Sequence, residues 1–330
     1  MTKTILLTGG AGFIGHHVAE HFLKNTDYNL IFLDRLDCSG SLQRIVQIAN
    51  WNTYKTRCKW VFHDLKAEIN SIVGNAIGRV NYIIHMAAST RVDRSITNPL
   101  EFVYDNVLGT AHLLEYARRC DGLEKMIYFS TDEVFGPAPT GTAYKEWDRY
   151  KSGNPYSATK AGGEELALAY HNTYALPIMI THTMNVFGER QHWEKFIPMC
   201  ISKILKEDEI TIHADKTCTI PGSRFYIHAR NIAGAILFLL EEGEPGEKYN
   251  LVGEKEVNNL DLAQFIAKVL YRPLNAKLVD FHSSRPGHDL RYALDGSKMK
   301  ELGWRLPTSF ETSLEKTVDW TVNHYEWLGQ

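Results

Sequence analysis

Disulfide chemistry has little to work with in this chain. Its 330 residues contain five cysteines, Cys38, Cys58, Cys120, Cys200 and Cys218, an odd number with no C-x-x-C pair. That scatter argues against a disulfide framework or a structural zinc site and fits a reducing, cytoplasmic compartment. A strong charge of either sign is lacking too. Thirty-six basic against 39 acidic side chains leave a formal net charge of -3, so no broad pull toward nucleic acid or an anionic membrane is expected. Long apolar runs are also missing. The opening Met1-Thr-Lys-Thr-Ile-Leu-Leu-Thr8 turns into glycine too soon for a signal peptide or a membrane span. No repeat or low-complexity linker interrupts the chain. What remains, 44% hydrophobic and 23% charged residues, is ordinary for a folded protein with two domains, or one domain with a large appendage.

Short apolar runs at 4–8, 30–34, 59–63, 82–86, 126–130 and 178–184 read as strands, and several are separated by helical patterns such as 13–23. Strands alternating with helices predict a parallel sheet covered on both faces. After about residue 185 the segments shorten and mix, with turns at Pro221-Gly222, 243–246 and Arg285-Pro-Gly287, and helical stretches near 259–270 and 312–327. The expected organisation is a sheet domain over 1–184, with segments near 226–252 returning to it, and a smaller α+β domain over 185–330. The cleft between them is the natural substrate site.

Gly9, Gly12 and Gly15 stand at G-x-x-G-x-x-G spacing between the first strand and the first helix. Glycine there permits a tight turn and close approach of backbone to a pyrophosphate, whose charge the helix N-terminus receives. Asp34, about 20 residues further at the end of the second strand, suits the ribose hydroxyls and repels a 2′-phosphate. A Rossmann-type doubly wound sheet binding NAD in preference to NADP follows, although neighbouring Arg35 acts in the opposite direction. Asp64-Leu65 either flanks the adenine or is a strand end with an ordinary exposed acid. His17-Val-Ala-Glu20-His21 matches the H-x-x-E-H zinc-protease pattern, but its helix covers the sheet and no third ligand is evident. These histidines are read as surface or partly packed residues, and no metal is expected.

The chemistry-bearing groups cluster in Tyr128-Phe-Ser-Thr131-Asp132-Glu133-Val-Phe-Gly136 and in Asn154-Pro155-Tyr156-Ser-Ala-Thr-Lys160. Asn154 reads as a helix cap and Pro155 as a first-turn residue, so Tyr156 and Lys160, at i and i+4, share one face. An ammonium beside the phenol favours tyrosinate, which can take a proton from a substrate hydroxyl. Two adjacent carboxyl groups add an acid and a base, because mutual repulsion and different environments separate their protonation states. Hydride acceptor, phenol, acid and base together describe a dehydration that begins with an oxidation.

On these motifs, together with His85-Met-Ala-Ala88, Val92-Asp-Arg-Ser-Ile96 and Arg285-Pro-Gly-His-Asp289, the chain resembles the extended short-chain dehydrogenase/reductase family of nucleotide-sugar enzymes. Within it, the likeness is to the dTDP-glucose 4,6-dehydratases and covers nearly the whole chain. The resemblance implies that Tyr156, supported by Lys160 and Thr131, takes the sugar C4 hydroxyl proton while hydride passes to NAD. Glu133 then removes the C5 proton, protonated Asp132 gives a proton to the departing C6 hydroxyl, and hydride returns to C6. It further implies cofactor contacts at Gly9, Gly12, Phe13, Ile14, Gly15, Asp34, Asp64, Leu65, Ala87 and Ala88, besides Tyr156 and Lys160. Substrate contacts are implied at Thr90, Asn185, Glu194, Lys195, Arg224, Asn250, Arg285, His288 and Tyr292, the two arginines suiting a diphosphate. A homodimer through helices near 107–119 and 157–174 is implied as well. Ser89-Thr90-Arg91 departs from the Glu-Ser-His usual there, which opens the identity of the sugar or base. Asn231 and Phe135 stand where the family often has Asp and Tyr. A C4 epimerase or decarboxylase sharing the first hydride step, and a regulatory NAD-binding protein on the same fold, are the alternatives.

Overall fold

The computed structural model describes residues 2–280 and 290–329. Strand β1 (Thr4–Thr8) carries the alternation that organises the molecule, with Ile5 and Leu7 facing one hydrophobic layer and Leu6 the other. Helix α1 (Phe13–Asn25) follows it, then β2 (Asn29–Asp34), β3 (Cys58–Phe62), β4 (Tyr82–His85) and β5 (Lys125–Thr131). Helix α2 (Pro155–Tyr174), β6 (Ile178–Thr183), α3 (Ala229–Glu242) and β7 (Lys248–Leu251) complete this layered unit. The seven strands form one sheet in the order β7-β6-β5-β4-β1-β2-β3, and every neighbouring pair is parallel.

Both faces of the sheet are covered, as a parallel sheet requires. Val18 and Phe22 of α1 and Ile232 and Ile236 of α3 pack with Ile5, Leu7 and Phe32 on one side. Leu113 and Leu114 from helix Gly109–Ala117, with Ala167 of α2, pack with Leu6, Ile31 and Tyr128 on the other. Strand order reverses at β1, whose neighbours are β2 and β4, and a crevice opens at the carboxyl ends there. The sequence motifs at Gly9, Asp34, Ala87 and Thr131 all follow these carboxyl ends.

A second cluster lies beside the sheet, built from Ile201, Ile212, Leu262, Ile266, Leu314 and Val318. Its helices are Phe196–Leu205, Asn259–Val269 and Phe310–Val322, and strands Ile210–Ala214 and Ala276–Asp280 pair in parallel. Segment 229–251 returns to the first unit, as α3 on the sheet face and β7 on its edge. The helix expected over 312–327 starts earlier, where Ser309 Oγ accepts from the Thr312 amide at 3.3 Å, and gives way after Val322 to a short turn at Tyr325–Trp327. The five cysteines are free thiols. Among the described residues no helix is long and apolar enough to cross a membrane.

Candidate active site

The glycine turn after β1 has no room for side chains. A Cβ on Gly15 would lie 2.4 Å from the Gly9 carbonyl oxygen and 2.8 Å from Gly10 Cα, while Gly9 itself has φ +68. The carboxylate of Asp34 fastens the turn, accepting from the Ala11 amide at 3.0 Å and from the Leu36 amide at 2.9 Å. Burial pushes this carboxyl above its ordinary range, and the two amides oppose that rise. The turn opens onto a cavity of about 380 Å³. Gly9, Gly12, Phe13, Ile14, Gly15, Asp34, Asp64, Leu65, Ala87 and Ala88 all line it, as do Thr131, Asp132, Glu133, Tyr156 and Lys160. The cradle that side chains would fill, with a carboxylate at the end of β2, fits the pyrophosphate and ribose of a dinucleotide.

Two chain segments carry the reacting groups into this cavity. Thr131 ends β5 in extended conformation, and Asp132–Phe135 turns away as a short 3-10 helix. Gly136 ends that turn at φ +74, where a Cβ would come within 2.3 Å of the Lys151 carbonyl. Helix α2 begins with a reciprocal cap. Asn154 Oδ1 accepts from the Ser157 amide at 2.9 Å and Ser157 Oγ accepts from the Asn154 amide at 3.3 Å, with Pro155 in the first turn. Tyr156 and Lys160 therefore point together from the first turns of α2.

The two carboxyl groups differ in surroundings. Asp132 is buried, and burial followed by the charge of Glu133 pushes its carboxyl up to about 7. Its Oδ1 accepts from the Thr131 hydroxyl at 3.1 Å, while its buried Oδ2 has no hydrogen-bond partner among the described residues. Glu133 is half-buried and accepts at Oε2 from Asn154 Nδ2 at 3.2 Å. Lys195 lines the same cavity, and burial lowers its ammonium while the Glu133 charge opposes that fall.

Lys160 and Tyr156 both line the cavity from α2. The Lys160 ammonium lies 4.4 Å from the centroid of the Tyr128 ring, and burial pushes it down to about 7. Tyr156 is held above its ordinary range by burial and then by the Glu133 charge, against a hydrogen bond with Thr131. Lys160 and Tyr156 share a face of α2, and burial followed by the Glu133 charge governs the phenol.

Of the expected substrate residues, Thr90, Asn185 and Lys195 line the cavity. Glu194 does not, and its Oε2 is ion-paired with Arg91 Nη1 at 2.9 Å; Arg91 Nη2 also donates to His192 Nε2 at 2.7 Å. Arg224 donates to the carbonyls of Ser223 at 2.7 Å and Leu290 at 2.6 Å, and its guanidinium stands 4.7 Å over the ring of buried Tyr292. Both lie outside the cavity wall, although the Arg224 charge reaches Asp132 and lowers it. Asn250 is a correction. It is fully buried in β7, and its Nδ2 donates to the Tyr144 and Asp295 carbonyls at 3.0 Å each while Oδ1 meets His182 Nδ1 at 3.0 Å. Its side chain ties β7 to β6 and to the loops at Tyr144 and Asp295, and has no donor left for a ligand. Arg285 and His288 lie outside the described residues.

Three further sequence features find their places. Phe135 packs edge-on against Tyr150 and His182, and buried Asn231 donates to the Thr308 carbonyl at 2.9 Å. His17, expected to be partly packed at most, is buried and donates from Nε2 to the Glu189 carbonyl at 3.1 Å. No group of three His, Cys, Asp or Glu could hold a metal among the described residues. Asn154, read only as a cap, also orients Glu133, a role visible only once β5 and α2 are adjacent.

Known proteins resemble the chain over this whole arrangement. Residues 6–317 match the family described as GDP-mannose 4,6 dehydratase. The chain is 34% identical to the dTDP-glucose 4,6-dehydratase of Escherichia coli, across 98% of this chain and 94% of that protein. It is 35% identical to a trifunctional UDP-glucose 4,6-dehydratase/epimerase/reductase of Arabidopsis thaliana over 99% of its own length, spanning 48% of that longer protein. The crystal structure of the dTDP-glucose 4,6-dehydratase DesIV from Streptomyces venezuelae, solved with NAD bound, superposes with a TM-score of 0.89 at 32% identity, covering 99% of each chain. The chain belongs to the GDP-mannose 4,6-dehydratase family, among the NAD-dependent nucleotide-sugar enzymes of the extended short-chain dehydrogenase/reductases.

Proposed function

We propose that this member of the family converts an NDP-hexose to the NDP-4-keto-6-deoxyhexose, using NAD that is regenerated in each turnover. The observation that carries the reading is the unequal pair Asp132 and Glu133, one carboxyl buried and pushed up to about 7, the other half-buried and held by Asn154. An epimerization at C4 needs Thr131, Tyr156 and Lys160 but has no work for two more carboxyl groups. Dehydration needs both.

Burial and the Glu133 charge hold the Tyr156 phenol protonated here, so it takes the proton of the C4 hydroxyl only as tyrosinate, a form that the positive charges of Lys160 and of bound NAD would favour. Bound NAD supplies the acceptor for the C4 hydride and the donor that returns it to C6. The C4 ketone acidifies C5, and Glu133 removes that proton. Asp132, protonated near neutral pH, gives its proton to the C6 hydroxyl, which leaves as water. The hydride lost at C4 would be regained at C6 and C5 recovers its proton from Glu133, while the C4 hydroxyl proton left on Tyr156 replaces the one that Asp132 gave up, so the sugar loses water and no net electrons.

dTDP-glucose is the first substrate to test, because the Escherichia coli and Streptomyces venezuelae relatives that bear that name align over nearly their full lengths. The purified protein should be incubated with dTDP-, UDP-, GDP- and CDP-hexoses and the products weighed by mass spectrometry. Loss of one water from a single nucleotide sugar is expected, and it should nearly vanish in Asp132→Asn and Glu133→Gln with NAD binding retained. A product of unchanged mass, or unchanged water loss in both variants, would overturn the assignment. A homodimer accompanies the proposal, since Leu100, Val103, Tyr104 and Leu108 before helix Gly109–Ala117 and Tyr174 at the end of α2 are exposed. Sedimentation velocity at the mass of a monomer would exclude it. The reducing, cytoplasmic setting inferred from the free cysteines completes the reading.

A further inference from the structure

Arg35 follows Asp34 at the carboxyl end of β2 and lines the cavity where the adenosine half of a dinucleotide belongs. A guanidinium has five N–H donors, and in this chain carboxylates take all of them. Nε and Nη2 donate to Asp37 Oδ2 at 3.0 and 2.7 Å. Nη1 and Nη2 grip Asp105 Oδ1 and Oδ2 at 2.7 and 2.8 Å in a fork, and Nη1 also approaches Asp64 Oδ1 at 3.5 Å.

Asp105 is itself fixed. It is buried on the π-helical turn Val103–Leu108, and its Oδ2 accepts from the Ser89 hydroxyl at 2.6 Å. Ser89 is clamped in turn, because its amide donates to Asn106 Oδ1 at 2.8 Å and its carbonyl accepts from Asn106 Nδ2 at 3.0 Å. Ser89 is one of the three residues that depart from the family pattern. It lies outside the cavity wall, so this departure serves the support of Arg35 and not a sugar contact. Other cations lining this end are also engaged. Lys66 is 3.4 Å from Asp64 Oδ2, and Arg44 donates to the carbonyls of Ala11, Ser39 and Arg190 at 3.2, 2.6 and 3.1 Å.

We propose that Asp37, Asp105 and Ser89 form a cofactor-specificity device: by occupying every donor of Arg35 they withhold it from a 2′-phosphate, so the chain takes NAD and rejects NADP. The proposal rests on reading the cavity as a dinucleotide site. Asp34 alone repels a 2′-phosphate, but a mobile arginine beside it could neutralise that repulsion and bind the phosphate with its fork. The acidic cage removes this escape.

The test is calorimetric titration of the nucleotide-free, full-length protein with NAD+ and with NADP+. The wild type should prefer NAD+. The double variant Asp37→Asn/Asp105→Asn releases Arg35 and should raise NADP+ affinity about tenfold or more, the scale of a charge-assisted arginine–phosphate bond, with NAD+ affinity moving much less. Adding Arg35→Ala to that variant should erase the gain. Asp37→Asn alone, at an exposed position, should give a smaller gain in the same direction and keeps the test intact if Asp105→Asn does not fold. Equal wild-type affinity for both dinucleotides, an unchanged affinity ratio in the aspartate variants, or a gain that survives Arg35→Ala would overturn the device. A wild type that binds neither dinucleotide would overturn the dinucleotide reading itself, a separate failure.

Discussion

Replacing Asp132 with Asn should make the protein more stable and less active, and both effects follow from one buried carboxyl. In the unfolded chain this group ionises at its ordinary value of 3.8, whereas in the folded chain burial and the Glu133 charge move it to about 7. Between those values the folded state holds a proton that the unfolded state has lost. Its favourable contribution is therefore complete below the ordinary value and is lost as pH rises through about 7. The displacement corresponds to on the order of 4 kcal/mol. Asparagine keeps the shape of the protonated acid and never ionises, so it escapes this loss. Melting temperatures of the two proteins should draw apart between about pH 4 and pH 8, with the variant the more stable, and the gap should stop widening above that range. The same replacement removes the proton that leaves with the C6 hydroxyl. Water loss should fall by about 10²- to 10⁴-fold, while reduced nicotinamide still forms on addition of the sugar and is seen by its near-ultraviolet absorbance. Parallel melting profiles across the pH range would refute the burial argument. Loss of nicotinamide reduction together with dehydration would refute the separation of roles.

Asn154→Ala removes both a helix cap and the Glu133 contact, so stability should drop by about 0.5–2 kcal/mol and dehydration should slow. Asn154→Asp keeps a capping oxygen but sets a carboxylate against Glu133; thermal melts should recover while turnover does not, and equal recovery of both would deny Asn154 a part in orienting Glu133. Gly15→Ala places a methyl 2.4 Å from the Gly9 carbonyl, so calorimetry should find dinucleotide binding abolished. Asn250→Ala strands two backbone carbonyls and a buried histidine, which should cost several kcal/mol in denaturant unfolding. At temperatures where that variant stays folded its KM for the nucleotide sugar should match the wild type, and a raised KM would restore Asn250 to the substrate site.

The parts of this molecule that were legible in sequence are those written in local order. Apolar runs a few residues long located the first six strands, and glycines at fixed spacing located the turn they leave for a cofactor. Asn154-Pro155 marked where α2 starts, and hence that Tyr156 and Lys160 share a face. The corrections concern contacts between segments distant in the chain. Asn250 belongs to the interior because Tyr144, His182 and Asp295 converge on it, and no short window contains them. Ser89 belonged to the Ser89-Thr90-Arg91 departure that opened the identity of the sugar, and only the folded chain shows its hydroxyl donating to Asp105, sixteen residues on. Helical spacing put Lys160 on the face of Tyr156 but could not show that its ammonium also lies over the Tyr128 ring of β5. The residues Glu194, Arg224 and Tyr292 lie around the cleft without lining the cavity, and spacing alone carries no information about which side of a wall a side chain occupies.

The catalytic cavity is built at the expense of the fold, and the expense has a consistent direction. Burial raises Asp132 and lowers Lys160 until both sit at about 7. An acid and a base displaced toward each other in this way can give and take protons near neutral pH with little driving force, which is the condition for efficient general acid–base catalysis. Neither displacement requires an exotic interaction. It requires that the interior offer too few partners, and Asp132 Oδ2 has none among the described residues while the Lys160 ammonium meets an aromatic face. The surrounding core can carry such defects, because two apolar layers hold the sheet on both faces. Ligands that bring hydroxyl and phosphate groups into the cavity supply the missing partners. Stabilisation by a bound dinucleotide and sugar together should then exceed what their separate effects add up to, since each completes hydrogen bonds around the same buried groups. The asymmetry of Asp132 and Glu133 thus links the proposed chemistry to the energetics: the deeper carboxyl keeps its proton because burial disfavours its charge, and the proposal gives the shallower one the part of the base.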